Sequence, residues 1–323
     1  MKGLSTIQVI TLCQLEGVGA KTVMRICEVL KERDIEIAST GDLHEFLSFA
    51  KKSKLVARLP EFDKPDVNRA YSIAKRIMEE SEAAGIYAVS YLDDDYPAEL
   101  LKTVDEKGKA SVPVVMYYKG NLSITKQPGI AVIGTREPTS EGERVGKLLA
   151  AKFAQQGFNI ISGLAIGCDT CGHQGALSVK GNTTAILAHG LDTVYPAQNK
   201  RLADEILDNG GLLMSEYHIG AALTTYNLVA RDRLQSGLSK ATLVIQTGIS
   251  GGTMHAVNAT LAAQKPLYVA KYTDAFTQAH EKSAGNAYLA QKGAKYIGES
   301  DDIAEIAAKI KSTGQVQTSL FDW

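Results

Sequence analysis

The sequence predicts an α/β protein: a parallel sheet with helices on both faces, preceded by a small all-helical domain. Three observations predict it. Short apolar runs recur at 129–136, 158–163, 183–190, 211–217, 241–248 and 266–272, most of them bounded by glycine and rich in β-branched residues. Each is too short for a helix and reads as a buried strand. Helical patterns separate most of them. Val145, Leu148, Leu149 and Phe153 share one face, and Gly157 stops that helix. Strands alternating with helices give a parallel sheet covered on both sides, with right-handed crossovers. Ahead of the first run, residues 1–84 carry helical patterns instead.

Taken in order, 7–30 is a helical pair broken at Leu15 to Lys21, where Gly17-Val18-Gly19 makes a tight turn. Val23, Ile26, Cys27 and Leu30 form the apolar face of the second helix. A Gly-Val-Gly turn followed by Lys21 is similar to a helix-hairpin-helix. In that motif the hairpin N–H groups and the next helix N-terminus hold a DNA phosphate without reading bases. A plain helical turn that uses glycine for its positive φ accounts for the same residues. Lys51 to Lys54 form a basic helix end. Pro60 and Pro65 precede a helix at about 67–81, with Val67, Ala70, Ile73, Ala74 and Ile77 on its apolar face. The helical domain therefore spans 1–84, an extended lead-in 85–127, the sheet domain 128–300, and a short helix with a tail 301–323. Ile303, Ile306, Ala307 and Ile310 mark that helix.

Bulk properties exclude several classes. The 323 residues carry a formal charge of −1, so no overall field draws the chain to nucleic acid or membrane, and any phosphate site is local. No run approaches the roughly 18 apolar residues of a bilayer span. Met1 to Gln8 lacks the apolar segment of a signal peptide. Four cysteines are too few for a disulfide scaffold, and the reading is a cytoplasmic protein.

Gly134, Gly163, Gly190 and Gly248 fall at or near the C-terminal ends of predicted strands, with Arg136 close behind the first. Open parallel sheets bind ligands outside those ends, and glycine lets a ligand approach the main-chain N–H groups. Any one glycine is explained by ending its strand. Four together, with the arginine, predict an anion-binding crevice.

The motifs along this region add a specific resemblance. An acidic turn from Tyr91 into Tyr96-Pro97 is followed by an extended run from Pro113 to Leu122. Gly134-Thr135-Arg136 is similar to a G-S-R opening, Ser162 to Asp169 to S-G-L-A-x-G-x-D, and His173 to Leu177 to H-x-G-A-L. Gly190 to Pro196 with Asn199 and Leu202 matches closely, and Arg231 to Ser239 is similar to R-N-R-x-x-x-G-L-S. In this order, over roughly 87–310, the set resembles the DNA-processing protein A (DprA, or Smf) family. The resemblance implies a Rossmann-like domain that binds single-stranded DNA in its crevice, forms a homodimer and delivers the strand to the RecA recombinase. It implies a binder and not a catalyst, with no cofactor. Carried onto this chain, the DNA-binding residues are Gly134, Thr135, Arg136, Ser162, Gly163, Arg231, Arg233, Gly251, Gly252 and Thr253. Arg136, Arg231 and Arg233 are expected to offer charged forks, and Gly134 and Gly163 main-chain donors.

The sequence also departs from the family pattern. Ile166 stands where the family usually has Arg, Asp232 where it has Asn, and Gly251-Gly252-Thr253 replaces S-G-S. The first two changes weaken or retune a phosphate pocket. No winged-helix-like module is expected after Ala294.

Other constellations are weaker. Cys168, Cys171 and His173 have partial metal spacing without a second cysteine pair, so no metal is expected. Asp169 reads instead as the N-cap of the helix carrying His173. The run 129–134 lacks the G-x-G-x-x-G of a dehydrogenase. Ser250 to Thr253 is similar to the phosphate loop of the "lonely guy" phosphoribohydrolases. That leaves a nucleotide-binding or nucleotide-hydrolysing enzyme as a second reading, with Glu216 and His255 available for recruitment. Finally, Gln317-Thr318-Ser319-Leu320-Phe321 resembles the bacterial sliding-clamp-binding pentapeptide, with Gln317 at the pocket rim and Leu320 and Phe321 as anchors. The competing reading folds Leu320, Phe321 and Trp323 back onto the body.

Overall fold

The computed structural model describes residues 3–312. Four helices come first: α1 (Thr6–Cys13), α2 (Ala20–Glu32), α3 (Thr40–Lys52) and α4 (Lys64–Ala83). The glycine turn expected between the first two is present, with Gly17 at φ +77°. The helix placed at 67–81 runs longer, because Asp63 caps it by accepting from the Asp66 N–H and Pro65 sits in its first turn.

The expected parallel sheet is the centre of the fold. Its strands are β1 (Tyr87–Ser90), β2 (Val115–Gly120), β3 (Gly129–Ile133), β4 (Asn159–Ser162), β5 (Thr183–Leu187), β6 (Leu212–Ser215), β7 (Ala241–Val244), β8 (Leu267–Ala270) and β9 (Lys295–Ile297). Their order is β1-β2-β6-β5-β4-β3-β7-β8-β9. From β6 to β9 neighbouring strands are parallel. At one edge β2 pairs antiparallel to both β6 and β1, so the sheet is mixed. Periodicity places 85–127 as an extended lead-in, and part of that stretch supplies these two edge strands.

Alternate residues of each strand feed opposite layers. Ile130 and Val132 join α5 (Ser140–Gln155), α6 (Cys168–Ser178) and α12 (Ile303–Ser312) through Leu149, Phe153, Cys171 and Ile310. On the other face Ala131 and Ile133 meet α9 (Thr253–Ala262) and α11 (Ala284–Gln291), and Ile161, Ile186 and Met214 meet α8 (Thr225–Leu238). The helical region packs on the first face, beside α7 (Lys200–Asp208), in one core that joins Val9, Ile26, Phe46 and Ile77 to Val115, Tyr117 and Leu213. The chain builds outward from β3 through β4, β5 and β6, then α8 carries it back to place β7 on the other side of β3. Strand order reverses between β3 and β7, which opens a crevice at their carboxyl ends. Among the described residues, no helix is long and apolar enough to cross a membrane.

Candidate functional site

The crevice lies at that reversal, with a volume of about 470 Å3. Gly134, Thr135 and Arg136 line it from the end of β3, Thr247 and Gly248 from beyond β7, and Gly251, Gly252 and Thr253 from the start of α9. The turn after β3 is held closely. The Thr135 N–H donates to the Gln246 carbonyl at 2.7 Å, and the Cys168 N–H donates to the Thr135 carbonyl at 3.1 Å. Gly167 caps α6 at φ +80°, and a Cβ there would meet the Thr135 carbonyl oxygen at 2.5 Å, so only glycine lets the two turns approach.

Arg136 emerges from this turn exposed, and its guanidinium has no hydrogen-bond or ion-pair partner among the described residues. In the same lining, the first turn of α9 presents its N-terminus, with Gly251 at φ +124° and the Gly252 and Thr253 N–H groups unbonded among the described residues. A positive side chain sharing a crevice with a free helix N-terminus is an arrangement that attracts anions. Lys282 stands at the rim, 3.6 Å from Glu137.

Several residues expected to face a ligand do other work. Arg231 is 6% exposed, and its Nη1 donates to the carbonyls of Gly163, at 2.8 Å, and of Ile186. Its Nε donates to Asp232 Oδ1 at 3.1 Å. Arg231 is therefore a tie between the ends of β4 and β5 at the crevice floor, not a free fork. Arg233 is likewise committed, donating from Nη2 to Glu216 and from Nε to Ser111. The Ser162 hydroxyl donates to the Val132 carbonyl inside the sheet. The Gly163 N–H, expected to reach a phosphate, donates to Asp169 Oδ2 at 3.0 Å.

Asp169 itself corrects another expectation. Gly167, not Asp169, is the N-cap of α6. Asp169 sits inside the first turn and reaches back to the Gly163 and Ala165 N–H groups, closing the turn after β4. Leu164 in that turn is left-handed, at φ +61°, and the Asn199 amide holds its carbonyl at 2.8 Å. Burial pushes the Asp169 carboxyl up and Arg231 pulls it down. It also lifts the Asp232 carboxyl to about 6, against the same guanidinium. Cys168 and Cys171 are buried free thiols, and His173 pairs with Thr183 through Nδ1 at 2.7 Å. Burial takes that imidazole down to about 3. Sequence reasoning missed Gln246 and Lys282 and gave Asp169 only a capping role. The polar Gln246-Thr247 pair ending an apolar strand was the available signal for the first.

A second cleft, of about 630 Å3, adjoins the crevice and shares Val229 and His255 with it. Val18 and Ala20 of the glycine hairpin line one side, Tyr117, Tyr217 and Glu216 the other. Gly19 lies between those two hairpin residues, Gly17 lines a separate hollow with Pro60, and Lys21 is exposed in the first turn of α2. Gln317, Leu320 and Phe321 lie outside the described residues.

The family model of DNA recombination-mediator protein A matches residues 87–308. The chain belongs to this family. It is 38% identical to the protein Smf of Synechocystis over 166 residues, which cover 50% of the chain and 40% of that relative's length. The Smf protein of Escherichia coli is 32% identical over 210 residues, 65% of the chain and 54% of that relative, so the chain spans about half the length of these two. Among solved structures, DNA processing protein A from Streptococcus pneumoniae superposes with a TM-score of 0.72 at 25% identity, over 91% of this chain and 95% of that one. The Helicobacter pylori protein, described for its single-stranded DNA binding mode, does so at 0.58 and 25%, over 71% and 96%. The match to the recombination-mediator family begins at β1 and covers the whole sheet. Within that family frame, Asp232 stands on the crevice floor, while Ile166 is 41% exposed and lines a neighbouring hollow with Tyr195 and His189.

Proposed function

We propose that this family member binds single-stranded DNA in the crevice between β3 and β7, as a binder and not as a catalyst. One observation carries the reading: Arg136 is unpaired among the described residues beside the free N-terminus of α9, at the strand-order reversal where an α/β sheet takes its ligand. Gly134, Thr135, Gly251, Gly252 and Thr253 supply the backbone around the phosphate, while Arg231, Ser162 and Gly163 hold the crevice floor and Arg233 braces the adjoining cleft. Such contacts grip a strand without reading its sequence. The hairpin at Gly17 and Gly19, with Lys21, adds a second phosphate contact beside the adjoining cleft. In the cell this predicts a cytoplasmic homodimer that hands the strand to the RecA recombinase, with the pentapeptide at Gln317 to Phe321 tethering it to the sliding clamp.

A titration of the full chain with single-stranded DNA, duplex DNA and mononucleotides, repeated across salt concentrations, tests this. The expected result is preference for the single strand, with affinity falling steeply as salt rises. Equal binding of duplex, or tighter binding of mononucleotides with release of free base, would replace the reading with a duplex binder or a nucleotide hydrolase.

A further inference from the structure

Two carboxylates share one guanidinium on the crevice floor. Arg231 spends Nη1 on the Gly163 and Ile186 carbonyls and Nε on Asp232. Asp169 faces the same group from α6, already occupied by two N–H donors. Asp232 differs: its side chain keeps 16% exposure, and it lines the same crevice as Arg136 and Thr253. The remaining titratable groups around it are His255 from α9, held by Glu106 at 2.6 Å, and Glu137 with Lys282 at the rim. Three carboxylates therefore stand against three cations in the lining, and the crevice carries no net charge while Asp232 is ionised. That is a poor balance for a polyanion, and a single proton on Asp232 tips it positive.

Building on the single-strand reading, we propose that Asp232 is an internal anion at the phosphate site, and that its carboxyl takes up a proton when the strand binds. The burial that already lifts this carboxyl to about 6 supplies the leverage, since a phosphate brought close lifts it further. The sign follows from linkage. Below about pH 6 the carboxyl of the free protein is already protonated, and affinity is flat. Above it, each binding event draws up to one proton, so affinity falls by up to about tenfold per pH unit.

The test follows the affinity of the full chain for oligothymidylate by fluorescence anisotropy from about pH 5.5 to 8 at fixed salt, in the parent and in Asp232→Asn, with thermal melting confirming that the variant folds. The parent is expected to lose affinity above about pH 6. The variant is expected to bind roughly tenfold more tightly at neutral pH and to lose most of the pH dependence. Calorimetry of the parent in two buffers of different protonation enthalpy reads the proton directly and needs no substitution. Zero uptake at neutral pH, or a variant with the parent's affinity and pH profile, overturns the proposal and leaves the single-strand reading intact. A parent that binds no oligonucleotide at any pH overturns both.

Discussion

Arg233 Nη2 donates to both carboxylate oxygens of Glu216, at 2.9 and 2.8 Å. With Nε on the Ser111 hydroxyl at 2.8 Å, this arginine braces α8 against the segment after β6 and the approach to β2. The pair is mostly shielded, with side-chain exposures of 13% and 24%. Glu216→Gln removes the charge partner of a shielded guanidinium and one of its two acceptor oxygens, and should cost about 1–3 kcal/mol, read as a lower midpoint in urea unfolding. A variant as stable as the parent would show that the brace carries no weight.

Arg136→Glu should weaken binding to all single-stranded sequences alike and reduce the salt slope by about one unit, with the melting temperature unchanged. Lys21→Glu should act the same way with a smaller loss in affinity. Point substitution is the right instrument for the helical region, because its core is continuous with the sheet through Val115, Tyr117 and Leu213. Removing the helices would bare that face. If neither change alters the salt slope, the phosphate assignments fail.

Gly163→Ala addresses the crevice floor. A Cβ at this position would lie 2.0 Å from Arg231 Nη1 and 2.5 Å from Gln235 Nε2. The guanidinium must leave the Gly163 carbonyl, stranding buried polar groups. A stability loss of about 1–3 kcal/mol is expected, together with weaker oligonucleotide binding. Crystals of the variant with Arg231 still on the Gly163 carbonyl would contradict this.

For the tail, a peptide of residues 313–323 should bind the sliding clamp weakly, since a free chain loses entropy on docking to its two anchors. Leu320→Ala combined with Phe321→Ala should abolish that binding while leaving the melting temperature of the full chain untouched. Destabilisation of the body by the same pair would instead favour the folded-back reading.

The sequence by itself determined the α/β class, the glycine hairpin, and the positions of the strand ends at Gly134 and Gly163. These rest on periodicities of 2 and 3.6 residues and on glycine punctuation, which are local properties of the chain. Asp232 is likewise conspicuous in the sequence, because it breaks a motif whose order is recognisable residue by residue. What each charge does was a different matter. Arg231 reaches the carbonyl of Gly163 across 68 positions of sequence, and Arg233 reaches Ser111 across 122. Asp169 looked like a cap because carboxylates favour helix starts, yet the turn after β4 offered it two N–H groups instead. The antiparallel pairing of β2 with β6 was equally invisible, since Gly120 finds its partner at Leu212, far along the chain. Only the tertiary structure decided which arginine is spent on the wall and which is free for a ligand, because a guanidinium's availability depends on the acceptors that folding brings around it.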